Sequence, residues 1–182
     1  KGFTKKTEIT VETLGGIKHI YLDLSDGHVS NITANIGAPI LEAEKVPAVT
    51  HSERFIDKTV ILDGRKFSTT AISLGNPHCV SFVEDVDTLK LEKYGPLMEN
   101  NELFPHRINA EFCQVLDREN LSLRTWERGP GETLACATGC ATCTVGGVLT
   151  DRCERKVKVK QIGGVTEVEW RADDNCIYIT AP

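Results

Sequence analysis

The sequence has little that would carry it to a membrane or a nucleic acid. It holds no long unbroken apolar run, whereas a helix that crosses a bilayer needs roughly 20 consecutive apolar residues. No leader-like opening is seen, so the expectation is a chain that is neither secreted nor membrane-bound and that works in the cytoplasm. An excess of positive charge is also lacking. Lys and Arg number 21 against 26 Asp and Glu, for a net charge of −5. That balance argues against nucleic acids and anionic membrane surfaces as partners. Basic residues gather only over 152–160, with no aromatic residue among them, and such a run reads as a solvated strand face. Tandem repeats and low-complexity segments are missing as well.

The seven cysteines are an odd number. Without a secretory context they read as free thiols in a reducing compartment, not as a disulfide framework. With 40% hydrophobic and 26% charged residues the composition is that of an ordinary soluble protein. A length of 182 residues allows one domain, or one domain and part of another, with a core of useful size. The sequence opens on Lys1, not on Met, and Pro182 follows a strand-like stretch with no closing segment. A fragment or a processed chain is therefore expected.

Strand signals dominate the pattern. Residues 7–13 (TEITVET) and 17–24 alternate polar and apolar, with Gly15-Gly16 as a turn between them. Asp26-Gly27 is a hairpin signal before 29–34. Pro39 and Pro47 then break the pattern, which suggests a seam near residue 36. Further strands are expected at 58–62, 66–73, 79–83, 111–116, 121–127, 155–160, 165–170 and 176–180. Residues 86–100 read as one short helix, or as two interrupted at Gly95-Pro96. Residues 135–149 show no β-alternation and consist mostly of small side chains, which lets a helix lie close against strands. The architecture inferred is α+β: a curved antiparallel sheet wrapped around a central helix of small residues.

Three segments carry chemistry. The strongest is ERGPGETLACATGC, residues 127–140. Gly129, Pro130 and Gly131 form a turn between a strand and a helix, and Cys136 falls at or near the first helical turn. Unpaired N–H groups at a helix start can hold a carboxylate, and the same end favours thiolate over thiol, so a lowered Cys136 pKa is expected. Glu127 and Arg128 could bind an ammonium and a carboxylate. The second segment is LGNPHCV, residues 74–80, with Asn76 held extended before proline and His78 available as a base or an orienting group. In the third, Arg107-Ile108-Asn109, the Asn109 amide could meet the polar end of a ligand.

GNPHCV, RINAEF and ERGPGETLACATG, in that order and at these separations, resemble the C-terminal half of diaminopimelate epimerase, and TKKTEITVETLGGIK looks like the end of that family's N-terminal domain. The resemblance implies residues 1–35 as a remnant of the N-terminal domain and 36–182 as the C-terminal one. It implies a homodimeric enzyme that uses neither an organic cofactor nor a metal and interconverts LL- and meso-diaminopimelate, a small-molecule substrate. Two cysteines facing each other across a cleft would act, one removing the α-proton and the other protonating the opposite face. Cys136 would be one of them. Asn76, Asn109 and Arg128 would bind the distal carboxylate end, Glu127 the distal amine, and the N–H groups of Ala137 and Thr138 the α-carboxylate. His78 would lie near the reacting centre, tuning a thiol or a neighbouring acid. The sequence departs from the family pattern in two ways: the motif of the first catalytic cysteine belongs upstream and is missing, and Ala137 stands where Gly is usual. The isolated chain is therefore expected to be inactive.

Three rival readings stand beside this one, among them a phenazine-pathway-like isomerase of the same fold, which the Cys136 motif disfavours. Cys136, Cys140 and Cys143 have the spacing of an iron–sulfur motif, but they fall late in the chain on a helical stretch. A non-catalytic amino-acid-binding relative of the same fold would keep the pocket without the second thiol.

Overall fold

The stretch KVKVKQ shows how the sequence specifies its sheet. Val157, Val159 and Gln161 are buried while the lysines between them face water, the two-residue period of a strand with one covered face. A computed structural model of the chain describes residues 4–13 and 16–182. In chain order the elements are β1 (Glu8–Thr13), β2 (Gly16–Ser25), β3 (His28–Gly37), β4 (Lys58–Leu62), β5 (Arg65–Ser73), β6 (Pro77–Phe82), α1 (Leu91–Glu99), β7 (Asn109–Asp117), β8 (Asn120–Glu127), β9 (Gly131–Thr133), α2 (Ala137–Leu149), β10 (Lys156–Gln161), β11 (Gly164–Trp170) and β12 (Ile177–Ala181). The strands form one sheet in the order β1-β2-β3-β12-β11-β10-β8-β7-β6-β5-β4, with β9 joined to the side of β8.

The sheet is mixed, not purely antiparallel. β6 pairs with β7 in parallel, and so does β8 with β10. Each parallel pair is bridged by a connection that carries a helix, α1 in the first case and α2 in the second, as parallel neighbours require. The Gly15-Gly16 turn lies partly outside the described residues. β3 pairs with β12, so the first three strands extend the same sheet as the remainder of the chain.

Because β6, β7 and β8 are covered on both faces, their alternate residues enter different cores. Cys79, Ala110 and Phe112 pack with Leu91 and Met98 on the α1 side. Val80, Cys113 and Leu123 pack with Val145 on the α2 side. α1 is a single helix that contains Pro96; Gly95 lets it lie against the Trp126 indole.

α2 begins at Ala137, two residues later than its composition suggests, and is buried from Gly139 to Gly147. It touches β5 to β8 on one side and β10 to β12 on the other. Its buried threonines are satisfied within the helix: Thr142 donates to the Thr138 carbonyl at 2.9 Å and Thr144 to the Cys140 carbonyl at 3.0 Å. A Cβ on Gly146 would stand 2.5 Å from Val80 Cγ1, and one on Gly147 2.5 Å from Cys153 Sγ. The helix is thus seated at a distance that only glycine permits.

Gly146→Ala separates packing from propensity. Helix propensity alone would make it stabilising by about 1 kcal/mol, whereas overpacking costs about 1–3 kcal/mol. We expect a net loss of stability, seen as a lower urea midpoint; a raised midpoint would show that α2 can move away from β6.

Candidate active site

The segment leading into α2 is shaped by a buried carboxylate. Gly129 and Gly131 have φ of 111° and 87°, values that favour glycine. Glu99, at the end of α1 and 4% exposed, accepts hydrogen bonds from Trp126 Nε1 at 2.8 Å and from the Gly129 N–H at 3.0 Å, and pairs with the Arg107 guanidinium. The turn after β8 is thereby fixed to α1. The chain returns along β8 as β9, where the Thr133 hydroxyl donates to Glu127 Oε1 at 2.6 Å. It then passes the exposed Leu134 and reaches Cys136.

Cys136 is the N-cap of α2, with extended backbone, and its sulfur accepts the Gly139 N–H at 3.4 Å. The Thr138 hydroxyl lies 3.6 Å from the same sulfur. The Cys136 N–H donates to Gln161 Oε1 of β10 at 2.7 Å, which anchors the helix start to the sheet. The N–H groups of Ala137 and Thr138 open the helix and have no carbonyl four residues back to bond.

The thiol does not behave as the helix start alone would suggest. Burial pushes its pKa up to about 11, and the Glu111 carboxylate adds to the rise; the Thr138 hydroxyl and the Gly139 N–H pull the other way and are outweighed. The expected lowering is therefore corrected. Loss of water and a nearby negative charge both disfavour thiolate, and together they exceed what two weak donors supply.

His78 is fully buried on β6, and its Nδ1 lies 2.8 Å from Glu111 Oε1 on β7. Glu111 is also buried, and neither His78 Nε2 nor Glu111 Oε2 has a hydrogen-bond partner. Donor atoms of His78, Glu111 and Cys136 all lie within 4.8 Å of one another. Three such atoms could in principle share a cation. Two of these residues are already hydrogen-bonded to each other, and we assign no metal here. Sequence reasoning placed Cys136 and His78 together and missed the residue between them. Glu111 and Thr125 are register partners on β7 and β8. Glu111 Oε1 would meet a Cβ on Gly139 at 3.0 Å, so it abuts the first turn of α2.

The remaining candidates border this trio. Asn109, opposite His78 in the β6–β7 register, donates to the Pro77 carbonyl at 2.9 Å and accepts the Arg128 N–H at 2.8 Å. Its amide thus joins β6, β7 and the turn after β8, leaving one N–H unspoken for. Asn76 is half-buried in the bend before β6, Glu127 is half-buried, and Arg128 and Ala137 are exposed. The Arg128 side chain donates through Nη1 to the His106 carbonyl at 3.1 Å, a contact that uses one of its five N–H donors. Cys140 and Cys143 lie in the core with no exposure. Burial pushes both thiols up, which leaves them as packed apolar groups and not as cluster ligands.

Comparison with solved structures gives the fold class first. The chain superposes on a hydroxyproline epimerase of Agrobacterium vitis with a TM-score of 0.65 at 13% identity, covering 97% of this chain and 57% of that one. By fold it is epimerase-like. The family model for diaminopimelate epimerase matches residues 70–182, and the chain belongs to that family. It is 47% identical over its whole length to the diaminopimelate epimerase of Acetivibrio thermocellus and 44% identical to that of Moorella thermoacetica, in each case covering 65% of the relative. The chain therefore spans about two-thirds of the length of these relatives.

A thiol with a pKa near 11 reacts slowly at neutral pH because the thiolate is the nucleophile. Alkylation of Cys136 by iodoacetamide, followed at the peptide level by mass spectrometry, should rise about tenfold per pH unit from pH 7 until the pH nears that value. A rate that levels off near pH 8 would contradict the raised pKa.

Proposed function

We propose that this chain supplies one of two opposed thiols in a diaminopimelate epimerase, which interconverts LL- and meso-diaminopimelate for lysine and cell-wall precursor synthesis. The observation that carries the reading is the seat of Cys136. In a chain of this family, the ERGPGETLACATGC segment makes it the cap of a buried helix, with His78 and Glu111 within 4.8 Å. Residues 36–182 are read as the C-terminal domain, its sheet curving round α2, and residues 1–35 as the last part of the sister domain. The other cysteine would come from sequence preceding this chain, and the intact protein would be a homodimer.

The chemistry asks for what this site offers. An amino-acid α-proton is very weakly acidic, and without pyridoxal phosphate there is no electron sink. The carbanion must be stabilised by fixed dipoles in a cleft closed to water. The Ala137 and Thr138 N–H groups would hold the α-carboxylate. Asn76, Asn109 and Arg128 would receive the distal carboxylate, and Glu127 the distal amine. Cys136, held as a thiol, would give its proton to one face of the carbanion while a thiolate on the sister domain took the proton from the other.

Leu134 is 67% exposed and Ile162 59% exposed, and the two are tied together by the Gly163 N–H donating to the Leu134 carbonyl at 2.7 Å. Apolar surface beside Cys136 is what a sister domain would cover on closing, and closure is what would exclude water. On this reading the present chain alone is inactive.

The test is exchange of the α-proton of LL-diaminopimelate in D2O, followed by NMR with reduced protein. The gene extended upstream to its natural start should exchange the proton and form the meso isomer. Cys136→Ser in that protein should slow exchange by about 10³-fold or more, and the 182-residue chain should show none. An extended, folded protein that binds the amino acid without exchanging it would overturn the catalytic reading and leave a binding relative.

A further inference from the structure

We infer that Glu111 is a positioning residue for Cys136: one carboxylate oxygen orients the His78 ring, and its buried negative charge keeps the proton on the Cys136 sulfur in the resting site. The inference rests on the proposed function, in which one thiol must begin protonated.

Glu111 is an unusual residue to find here. Its neighbours on β7, Ala110, Phe112 and Cys113, are core residues, and Glu111 itself is 1% exposed. A carboxylate in such a place is costly unless it is paired. Its only hydrogen bond among the described residues is to His78 Nδ1, and Oε2 has none. An ionised carboxylate can only accept, so Nδ1 is the atom that donates to it, while Nε2 has no hydrogen-bond partner. Glu111 therefore fixes the orientation of the ring.

The second effect is electrostatic. The titratable groups around Cys136 are Glu111 on β7, Glu127 on β8, His78 on β6 and Cys140 on α2. The contact from β10 is the uncharged Gln161. Among the charged neighbours Glu111 acts most strongly, and Glu127 acts in the same direction more weakly. No Lys or Arg stands among these groups to offset them. A thiolate here would face the Glu111 carboxylate in a region with little water, where like charges repel strongly. The Gly139 N–H at the helix start and the Thr138 hydroxyl would stabilise that thiolate, and burial first and the Glu111 charge second oppose them. The balance gives Cys136 a default state, and by default it would leave the sister-domain thiol as the first base.

The experiment compares Glu111→Gln and Glu111→Asp with the parent in the 182-residue chain under reducing conditions. The readout is the pH profile of Cys136 alkylation, with ultraviolet thiolate absorbance, taken as the difference from the matching Cys136→Ser protein, as a second measure that needs no reagent access. Glu111→Gln keeps size and hydrogen bonding but removes the charge, so the Cys136 midpoint should move to lower pH. Alkylation at pH 8 should then rise about tenfold for every pH unit by which the midpoint falls. Glu111→Asp keeps the charge and should stay near the parent. An unmoved or raised midpoint in Glu111→Gln would overturn the inference. So would equal changes in both variants, because loosened packing and not charge would then be the cause. Neither measurement needs turnover, so failure of the epimerase reading would show in the D2O assay and not here.

Discussion

The seating of α2 against the sheet is the constraint on which the rest depends. A helix this poor in side-chain volume buries only small groups such as Cys140, Ala141, Cys143 and Val145, and it is held because strands on two sides come close to its backbone. Gly146 and Gly147 leave room for Val80 and Cys153 to enter. Once the helix is in that position its first turn has no freedom. Gly139 lies against Cys136 and Glu111 together, and Gln161 grips the Cys136 N–H from the other side. Close packing therefore fixes where the sulfur sits. The carboxylate and the imidazole are fixed by the parallel pairing of β6 with β7, which sets His78 opposite Asn109 and brings Glu111 to the same face.

That arrangement sets two electrostatic influences against each other. A helix start favours a negative sulfur, whereas burial and a neighbouring carboxylate favour a neutral one. The directions found here make the second pair the stronger in this structure. Binding of a substrate with an ammonium group near the sulfur would change the sum, because a positive charge in a water-poor cleft acts far more strongly than the same charge in solvent. A thiol poised in this way has a reason to release its proton only when the substrate is in place.

Much of this was legible in the sequence, for identifiable reasons. Strand alternation at 155–160 and 165–170 and the Asp26-Gly27 hairpin signal between β2 and β3 have local causes, and the elements fall within a residue of where those causes place them. The short β9 was not legible, since three residues after a glycine turn carry no period. The parallel pairings were not legible either, because strand direction is decided by connections across the fold. Cys136 and His78 stood out through their motifs. Glu111 did not, although RINAEFCQV contains the signal. A lone carboxylate in an otherwise apolar strand is either on the open face or buried with a partner, and its place two residues after Asn109 puts it on the Asn109 face. The pKa of Cys136 departs from the expected direction because the local feature, the helix start, is visible in sequence, while burial of the thiol and, after it, the Glu111 charge on a strand 25 residues away are set by the fold.

The buried polar groups also separate what holds the site from what would act in it. Glu99 accepts from an indole, a turn N–H and a guanidinium, so both of its oxygens are engaged and it behaves as part of the scaffold. Asn109 likewise joins three backbone segments. Glu111 and His78 differ from them, since each keeps a buried atom with no partner. A fold that satisfies Glu99 fully could have replaced Glu111 by an apolar residue and avoided the cost of an incompletely paired carboxylate. The presence of that carboxylate within reach of the one cysteine that caps a helix is hard to explain through stability, and it is what a residue kept for the protonation state of that cysteine would look like.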